Sequence, residues 1–84
     1  MDLLIRYGPS ATDEEEALAL ARRLFAHFDE AIDSLTLVPT QEDELALSLN
    51  GRLVHSRAES GRPPRLADVL ALRAASHRWP AWDE

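Results

Sequence analysis

The 84-residue sequence predicts an open-faced α/β sandwich, in which two helices cover one face of a four-stranded mixed sheet. Three observations predict this fold class: short segments with alternating apolar residues, two longer segments with apolar residues at helical spacing, and one strong hairpin turn. The elements follow in the order β-α-β-β-β-α, and the first crossover should be right-handed, which makes the first two strands parallel. The strands are mostly apolar on one side and mixed on the other, as expected when helices cover a single face.

The first strand lies at the start of the chain. Leu3, Ile5 and Tyr7 alternate with other residues, and the pattern stops at Gly8 and Pro9, which favour a turn. The strand should therefore present one apolar face to a core and end in a tight turn.

A helix is predicted directly after this turn. Thr12 is a suitable N-cap residue, and Glu15 stands three positions later, where it completes a capping box. We expect the helix to end within residues 29–31. The apolar residues at helical spacing, which predict its buried face, are Leu18, Ala21, Leu24, Phe25 and Phe28.

Three further strands and a second helix complete the prediction. A β-rich segment covers residues 35–38, and the alternating segments 45–49 and 52–57 flank the pair Asn50 and Gly51. This pair is the strongest short hairpin signal, because both central residues of the turn need positive φ. The second helix should follow the break at Gly-Arg-Pro-Pro, and its periodic residues are Leu66, Val69, Leu70, Arg73 and Ala74.

The hairpin turn also predicts which side chains face each other. A two-residue turn places Ser48 opposite Leu53 and Ala46 opposite His55, on the face without helices. The residues expected on the core face are Leu3, Ile5, Leu35, Leu37, Leu45, Leu47, Leu49 and Val54.

The composition excludes several classes of function. The chain has no cysteine and no lysine, and its net charge of −6 disfavours nucleic acid as a partner, because a phosphate backbone is bound by basic surface. No apolar run approaches the roughly 18 residues of a membrane span, and charge follows Met1 too soon for a signal peptide. We therefore expect a cytoplasmic protein, and the exclusive use of arginine is typical of a GC-rich bacterial genome.

The charge is unevenly distributed along the chain. Residues 1–44 carry a net charge of −8, whereas residues 45–84 carry +2. The second half could form a basic strip that contacts an anion or a partner, composed of Arg52, Arg57, Arg62 and Arg65.

Several motifs resemble one known family. Residues 47–57 form a strand, Asn-Gly and a strand closing in Ser-Arg, followed by Gly-Arg-Pro-Pro at 61–64, and residues 4–7 form a first strand ending in Tyr. This arrangement resembles the selenoprotein W-like (Rdx, or SelT/SelW/SelH) family of small thioredoxin-like proteins. The resemblance implies a thioredoxin-like two-layer sandwich over a single domain, residues 1–78, followed by a tryptophan-containing tail, residues 79–84.

The chain departs from this family at the centre of the family's chemistry. Where the resemblance implies Cys-x-x-Cys, this sequence has Gly8, Pro9, Ser10 and Ala11, so neither thiol position carries a nucleophile. The carboxylates of residues 13–16 would also disfavour a thiolate at the helix start. We therefore expect no thiol–disulfide oxidoreductase activity. We also expect that cysteines placed at positions 8 and 11 would face each other closely enough to form a disulfide.

The remaining candidates for chemistry are weak. Ser10 could act as a nucleophile, but a hydroxyl in a helix-entry loop more often bonds backbone amides. His27, His55 and His77 lie in different predicted elements and share no helical spacing. We therefore assign no catalytic residue, no metal site and no cofactor.

Candidate contact residues lie on the open face of the sheet and in the tail. An apolar strip of Leu4, Val38 and Leu53 should bind a protein partner or a second copy, and Trp79 and Trp82 either pack on the core or anchor a partner. The first hypothesis is a redox-inactive binding or accessory module. The alternative is a small thiol-independent enzyme or ligand-binding protein that uses the loop from Tyr7 to Ala11.

Overall fold

The computed structural model describes the backbone of residues 1–78 and side chains through residue 74. Trp79 and Trp82, which the sequence offers as contact residues, lie outside the described residues.

Four strands form one mixed sheet. They are β1 (Asp2–Tyr7), β2 (Ser34–Pro39), β3 (Leu45–Leu49) and β4 (Arg52–Ser56). Their order across the sheet is β2-β1-β3-β4, with β1 and β2 parallel and the other neighbours antiparallel. The predicted mixed four-stranded sheet is confirmed.

Both predicted helices are present, with one short addition. The long helix α1 covers Ala11–Phe28 and continues into a 3₁₀ turn over Asp29–Ala31. A four-residue helix that the sequence pattern does not reveal, α2 (Arg57–Ser60), directly follows β4 and precedes α3 (Leu66–Arg78). Buried residues of β1, β3, α1 and α3 form a single hydrophobic cluster, so the two long helices share one face of the sheet.

The start of α1 differs from the prediction. Ser10, and not Thr12, caps the helix: its extended backbone lets the side-chain oxygen accept a 3.0 Å hydrogen bond from the amide of Asp13. Both residue types are good caps, but only the turn through Gly8 and Pro9 decides which of them stands outside the helix. The helix therefore begins earlier, and Thr12 lies exposed within its first turn.

The buried face of α1 also differs in part from the predicted one. Leu18 and Phe25 were expected in the core but are 44% and 48% exposed. Ala17, Leu20 and Leu24 point inward instead. They lie on the side of the helix that also carries Asp13. The core residues are Leu3, Ile5, Ala17, Leu20, Ala21, Leu24, Leu45, Leu47, Leu49 and Val69.

The β3–β4 hairpin follows the prediction at its turn and departs from it two residues later. Asn50 and Gly51 have φ of 52° and 82°, and Ser48 lies opposite Leu53 as expected. The register then shifts, so that Leu47 lies opposite His55. The predicted pairing of Ala46 with His55 is therefore wrong, and Ala46 instead faces Ser56.

This shift is a β-bulge in β4. One extra residue on a strand turns the following side chains to the other face of the sheet, since side chains alternate along a strand. His55 moves from the open face to the helix-covered face, and Arg57 is directed toward the start of α1. The bulge thereby brings the end of the hairpin to the loop of residues 8–11, which connects β1 to α1.

Candidate functional site

The loop of residues 8–11 connects β1 to α1. Gly8 is buried, whereas Pro9, Ser10 and Ala11 are exposed. The Ser10 hydroxyl oxygen caps α1, which is the structural role expected for it and not that of a nucleophile. Tyr7 ends β1 half-buried against the core, and its carbonyl accepts a 2.8 Å hydrogen bond from the Thr40 amide.

Directly beneath this loop lies a buried ion pair. Two nitrogens of the Arg57 guanidinium donate to the two carboxylate oxygens of Asp13, at 2.8 and 3.1 Å. One of these nitrogens also donates to Asp43 at 2.7 Å. A fork of this kind is among the strongest side-chain interactions, because two charge-assisted hydrogen bonds fix its geometry. Arg57 thus joins the first turn of α1 to the loop before β3.

The electrostatics of this pair are those of a permanent ion pair. The hydrogen bonds from Arg57 lower the pKa of the Asp13 carboxyl below its usual value of 3.8, although burial acts in the opposite direction. The same hydrogen bonds to Asp13 raise the pKa of the Arg57 guanidinium above its usual range. Both groups are therefore charged at neutral pH, and neither is poised to exchange a proton.

The ion pair and a neighbouring loop also fill the space beside Gly8. A Cβ atom on Gly8 would lie 2.8 Å from the Glu42 carbonyl oxygen, 2.9 Å from Asp13 Oδ2 and 3.1 Å from the Glu44 amide nitrogen. Two of these contacts involve backbone, which cannot rotate away. The first of the two expected thiol positions therefore has no room for a side chain, which opposes the expectation that cysteines at positions 8 and 11 pair easily.

A second polar cluster lies where the hairpin meets α3. The Ser60 hydroxyl oxygen lies 2.6 Å from His55 Nε2, and His55 Nδ1 lies 3.7 Å from Asp68 Oδ2. Ser60, His55 and Asp68 thus stand in the order of the nucleophile, base and acid of a catalytic triad. The Ser60 hydroxyl, however, lies 2.9 Å from the Ser56 carbonyl and 3.0 Å from the Arg62 carbonyl, so its single proton already has backbone acceptors.

The Asp68 carboxylate likewise forms its hydrogen bonds with residues that hold the fold together. It accepts hydrogen bonds from two nitrogens of Arg62, at 2.7 and 3.1 Å, and a 2.8 Å bond from the Arg65 amide at the start of α3. The Arg62 hydrogen bonds lower the pKa of the Asp68 carboxyl. The cluster therefore fixes the connection between α2 and α3.

The predicted open-face residues do lie on the side of the sheet away from the core. Leu4 lies opposite Ser48, which lies opposite Leu53, so the two leucines share one row across the sheet. Val38 lies in the next row, beside Arg6. The strip is therefore apolar at both ends and contains one charged residue.

The predicted basic strip is not a set of free cations. Arg57 and Arg62 are engaged by carboxylates, as described above. Arg65 instead lines a groove of about 390 Å³ between α1 and the connection before α3. The other residues that line this groove are Glu15, Glu16, Ala19, Leu20, Arg23, Leu45, Pro63 and Pro64, so it does not open onto the loop of residues 8–11.

Among the side chains of residues 1–74, no group of three or more His, Asp or Glu residues is arranged to hold a metal ion. In the same part of the chain, no helix has the length and apolar character needed to cross a membrane.

Comparison with known proteins decides the family. The sequence model of the Rdx family matches residues 2–72. The chain belongs to the Rdx family. This confirms the resemblance drawn from the hairpin, the Ser-Arg that follows it and the first strand. No curated protein matches the chain.

Two solved structures show the same thioredoxin-like fold as this Rdx family protein. A selenoprotein W-related protein from Vibrio cholerae superposes with a TM-score of 0.74 at 20% identity, over 81% of this chain and 85% of that chain. A protein from Bordetella parapertussis superposes with a TM-score of 0.74 at 25% identity, over 90% of this chain and 95% of that chain. The predicted fold class is confirmed.

Asp13 and Arg57, which form the ion pair beneath this Rdx family protein's loop of residues 8–11, were not predicted from the sequence as a pair. Asp13 is one of four consecutive acids at the predicted helix start, and no contact was predicted for it. The available signal was the Ser-Arg that closes the hairpin, since an arginine at the end of a sheet strand needs an acidic partner if it is drawn inward.

Proposed function

We propose that this protein is a redox-inactive member of the Rdx family that acts as a protein-binding module. One observation carries the proposal: the first thiol position is a buried glycine, and the space beside it is filled by Asp13 and by backbone of the loop before β3. With no cysteine in the chain, the region that would carry the redox motif serves to hold the fold together.

The open face of the sheet supports a binding role. Leu53 is 49% exposed, and Leu4 lies in the same row. Burial of an aliphatic side chain contributes about 1.5–3 kcal/mol, so these residues can form the apolar centre of a contact, and further contacts around them must offset the cost of association. Arg6, in the next row, is paired with Glu44 at 3.4 Å, so a partner would meet an ion pair at this end of the strip.

The alternative function, a thiol-independent enzyme or ligand-binding protein using the loop from Tyr7 to Ala11, has less support. The Ser10 oxygen is engaged in capping α1, and Arg57, beneath the loop, is bound by two aspartates. A reaction at this loop would have to break one of these interactions first.

The first test of the proposal measures redox activity. The purified protein is expected to show no reduction of insulin disulfides in the presence of dithiothreitol above that of a heat-treated sample, because no thiolate is available to attack. Turnover above this control would contradict the proposal.

The second test measures partner binding. Leu53→Asp should weaken capture of a partner from lysate of the producing cell about tenfold or more, because it places a charge in the apolar row. Leu70→Asp is the matched control, since Leu70 is 39% exposed but lies on α3. Both variants should keep the wild-type unfolding midpoint within a few degrees. Equal capture by the two variants would assign binding to another surface.

A further inference from the structure

A groove on the helix-covered side of the sheet has the form of a binding site. It lies between α1 and residues 63–65, and its volume of about 390 Å³ is within the usual range of small-ligand sites. Leu20, Leu45 and Pro64 are buried and form its apolar floor. The groove can therefore cover one large apolar side chain.

Two arginines stand on the walls of this groove, Arg23 of α1 and Arg65 directly before α3. Among the side chains of residues 1–74, no carboxylate pairs with either guanidinium. The arginines that do pair with carboxylates in this range are Arg6, Arg57 and Arg62. A group that carries carboxylates next to an apolar side chain therefore matches this part of the groove.

The groove also has an acidic end, which lies toward the start of α1. Glu15 and Glu16 line it, and Glu16 precedes Arg23 by two helical turns, or about 10 Å. Carboxylates of a bound group are thus attracted to the end at Arg23 and repelled from the end at Glu16. This difference in charge gives the groove a direction.

The groove is one end of a crevice between α1 and α3, which contact each other. Both helices begin at the same end of the sheet, because β1 and β4 are both antiparallel to β3. At the other end of the crevice, the Arg73 guanidinium lies 5.2 Å from the centre of the Phe28 ring. From this end α3 continues to Arg78, which residues 79–84 follow.

Helix geometry gives the distance from the end of α3 to the groove. Arg78 is five residues beyond Arg73, which is about 7.5 Å along the helix. Arg23 is five residues before Phe28, which is about 7.5 Å again. Arg78 and Arg23 are thus about 15 Å apart along the helix axes, and six extended residues span about 20 Å at most. The acidic end of the groove, at about 25 Å, is out of reach of such a segment.

We propose that the groove binds the C-terminal segment of the same chain, residues 79–84. The sequence of this segment, Trp-Pro-Ala-Trp-Asp-Glu, places Trp82 directly before two acids. In the bound arrangement the Trp82 indole covers the apolar floor, and the carboxylates of Asp83 and Glu84 pair with the two arginines of the groove. This surface is separate from the open face, and the proposal does not depend on the function proposed above.

Tethering selects this segment over a separate partner. A segment attached to the same chain has an effective concentration of about the millimolar range, so weak contacts are enough to hold it. One indole buries about 150–250 Å², which is too little for an interface between two proteins but is useful for a tethered segment. Pro80 opposes continuation of α3, which leaves the length of the segment available to reach the groove.

Tryptophan fluorescence tests the proposal, because both tryptophans of the chain lie in this segment. Trp79→Phe leaves Trp82 as the only fluorophore of this type. Its acrylamide quenching rate constant, corrected for the fluorescence lifetime, is compared with that of a synthetic peptide of residues 79–84 with the same substitution. Binding sites of this size cover about 70–90% of a bound group, so quenching in the protein should be about threefold or more slower than in the peptide.

Charge reversal at the groove provides the matched comparison in the Trp79→Phe background. Arg23→Glu places a carboxylate beside the two acids of the segment and should raise the quenching rate constant about threefold, to the peptide value. Arg65→Glu should have the same effect. Arg22→Glu is the control, because Arg22 is the adjacent exposed residue of α1 and does not line the groove. Circular dichroism checks that each variant is folded.

Dilution distinguishes a contact within one chain from a contact between copies. The slow quenching of Trp82 should persist when the protein is diluted about a hundredfold, because the effective concentration of a tethered segment does not change. Loss of protection on dilution would assign the groove to the segment of a second copy and overturn the proposal. Quenching as fast as in the peptide, or equal effects of Arg22→Glu and Arg23→Glu, would overturn it as well.

Discussion

Replacing Asp13 with Ala is expected to lower the free energy of unfolding by about 2–3 kcal/mol, which is a large part of the stability of so small a domain. The substitution removes both hydrogen bonds to Arg57 and leaves the guanidinium without its buried partner. The loss should fall below the about 3–5 kcal/mol typical of a fully buried pair, because the Arg57 side chain is 25% exposed and retains Asp43. Urea unfolding measures the difference.

The matched control replaces the other aspartate that binds the same arginine. Asp43 is 89% exposed, so solvent screens its interaction, and Asp43→Ala should cost less than about 1 kcal/mol. Similar losses in the two variants would show that the buried fork is not the main source of this stability. A double replacement of Asp13 and Arg57 should cost less than the sum of the single replacements, because the two groups interact directly.

The pH dependence of stability gives an independent measurement of the same pair. The pKa of Asp13 is lower in the folded protein than its usual 3.8. The stabilisation is therefore fully present above about pH 3.8 and is lost as pH falls through the lower, folded-state pKa. The difference between wild type and Asp13→Ala should shrink below about pH 3.8 and stay constant between about pH 5 and 8.

Adding a side chain at Gly8 should have the second large effect. Gly8→Ala is expected to lower the free energy of unfolding by about 1–3 kcal/mol, because the new Cβ would overlap the Glu42 carbonyl oxygen and force the backbone to move. Gly8→Cys should cost at least as much. Thermal and urea unfolding provide the measurement.

Position 11 provides the control for this prediction. Ala11 is exposed at the first residue of α1, so Ala11→Cys should change stability by less than about 0.5 kcal/mol. If Gly8→Cys is instead tolerated as well as Ala11→Cys, the loop before β3 is more adaptable than its packing indicates. Reintroducing a Cys-x-x-Cys pair is therefore expected to destabilise the fold through position 8 alone.

Local signals in the sequence were enough for most of the fold. Asn50 and Gly51 identified the hairpin turn, and alternating leucines identified the core face of β3, because these patterns depend on backbone geometry within a few residues. The start of α1 was misplaced because Ser10 and Thr12 are comparable N-caps. Leu18 and Phe25 were assigned to the core separately from this, because both are large and apolar and lie beside the buried Ala21 and Leu24 at helical spacing.

The candidate site was less accessible to sequence reasoning. The absence of cysteine established by itself that the chain has no thiol chemistry. The space beside Gly8, the first expected thiol position, is partly filled by the ion pair of Asp13 and Arg57. These two residues are 44 positions apart in the sequence. Helical spacing places Asp13 on the side of Ala17 and Leu20, but no local pattern shows that an arginine from a distant part of the chain meets it there.

The deciding feature of the tertiary structure is the bulge in β4. Residues 52–57 alternate in a way that fits a regular strand, which would direct His55 and Arg57 to the open face. Packing of α3 against β4 and of α1 above β1 provides acidic partners, Asp68 and Asp13, on the other face. The sequence by itself determined the fold class and the loss of the redox motif. The tertiary structure decided the register that directs Arg57 beneath the vacated loop, because the acidic partner that makes an inward arginine favourable comes from a distant part of the chain.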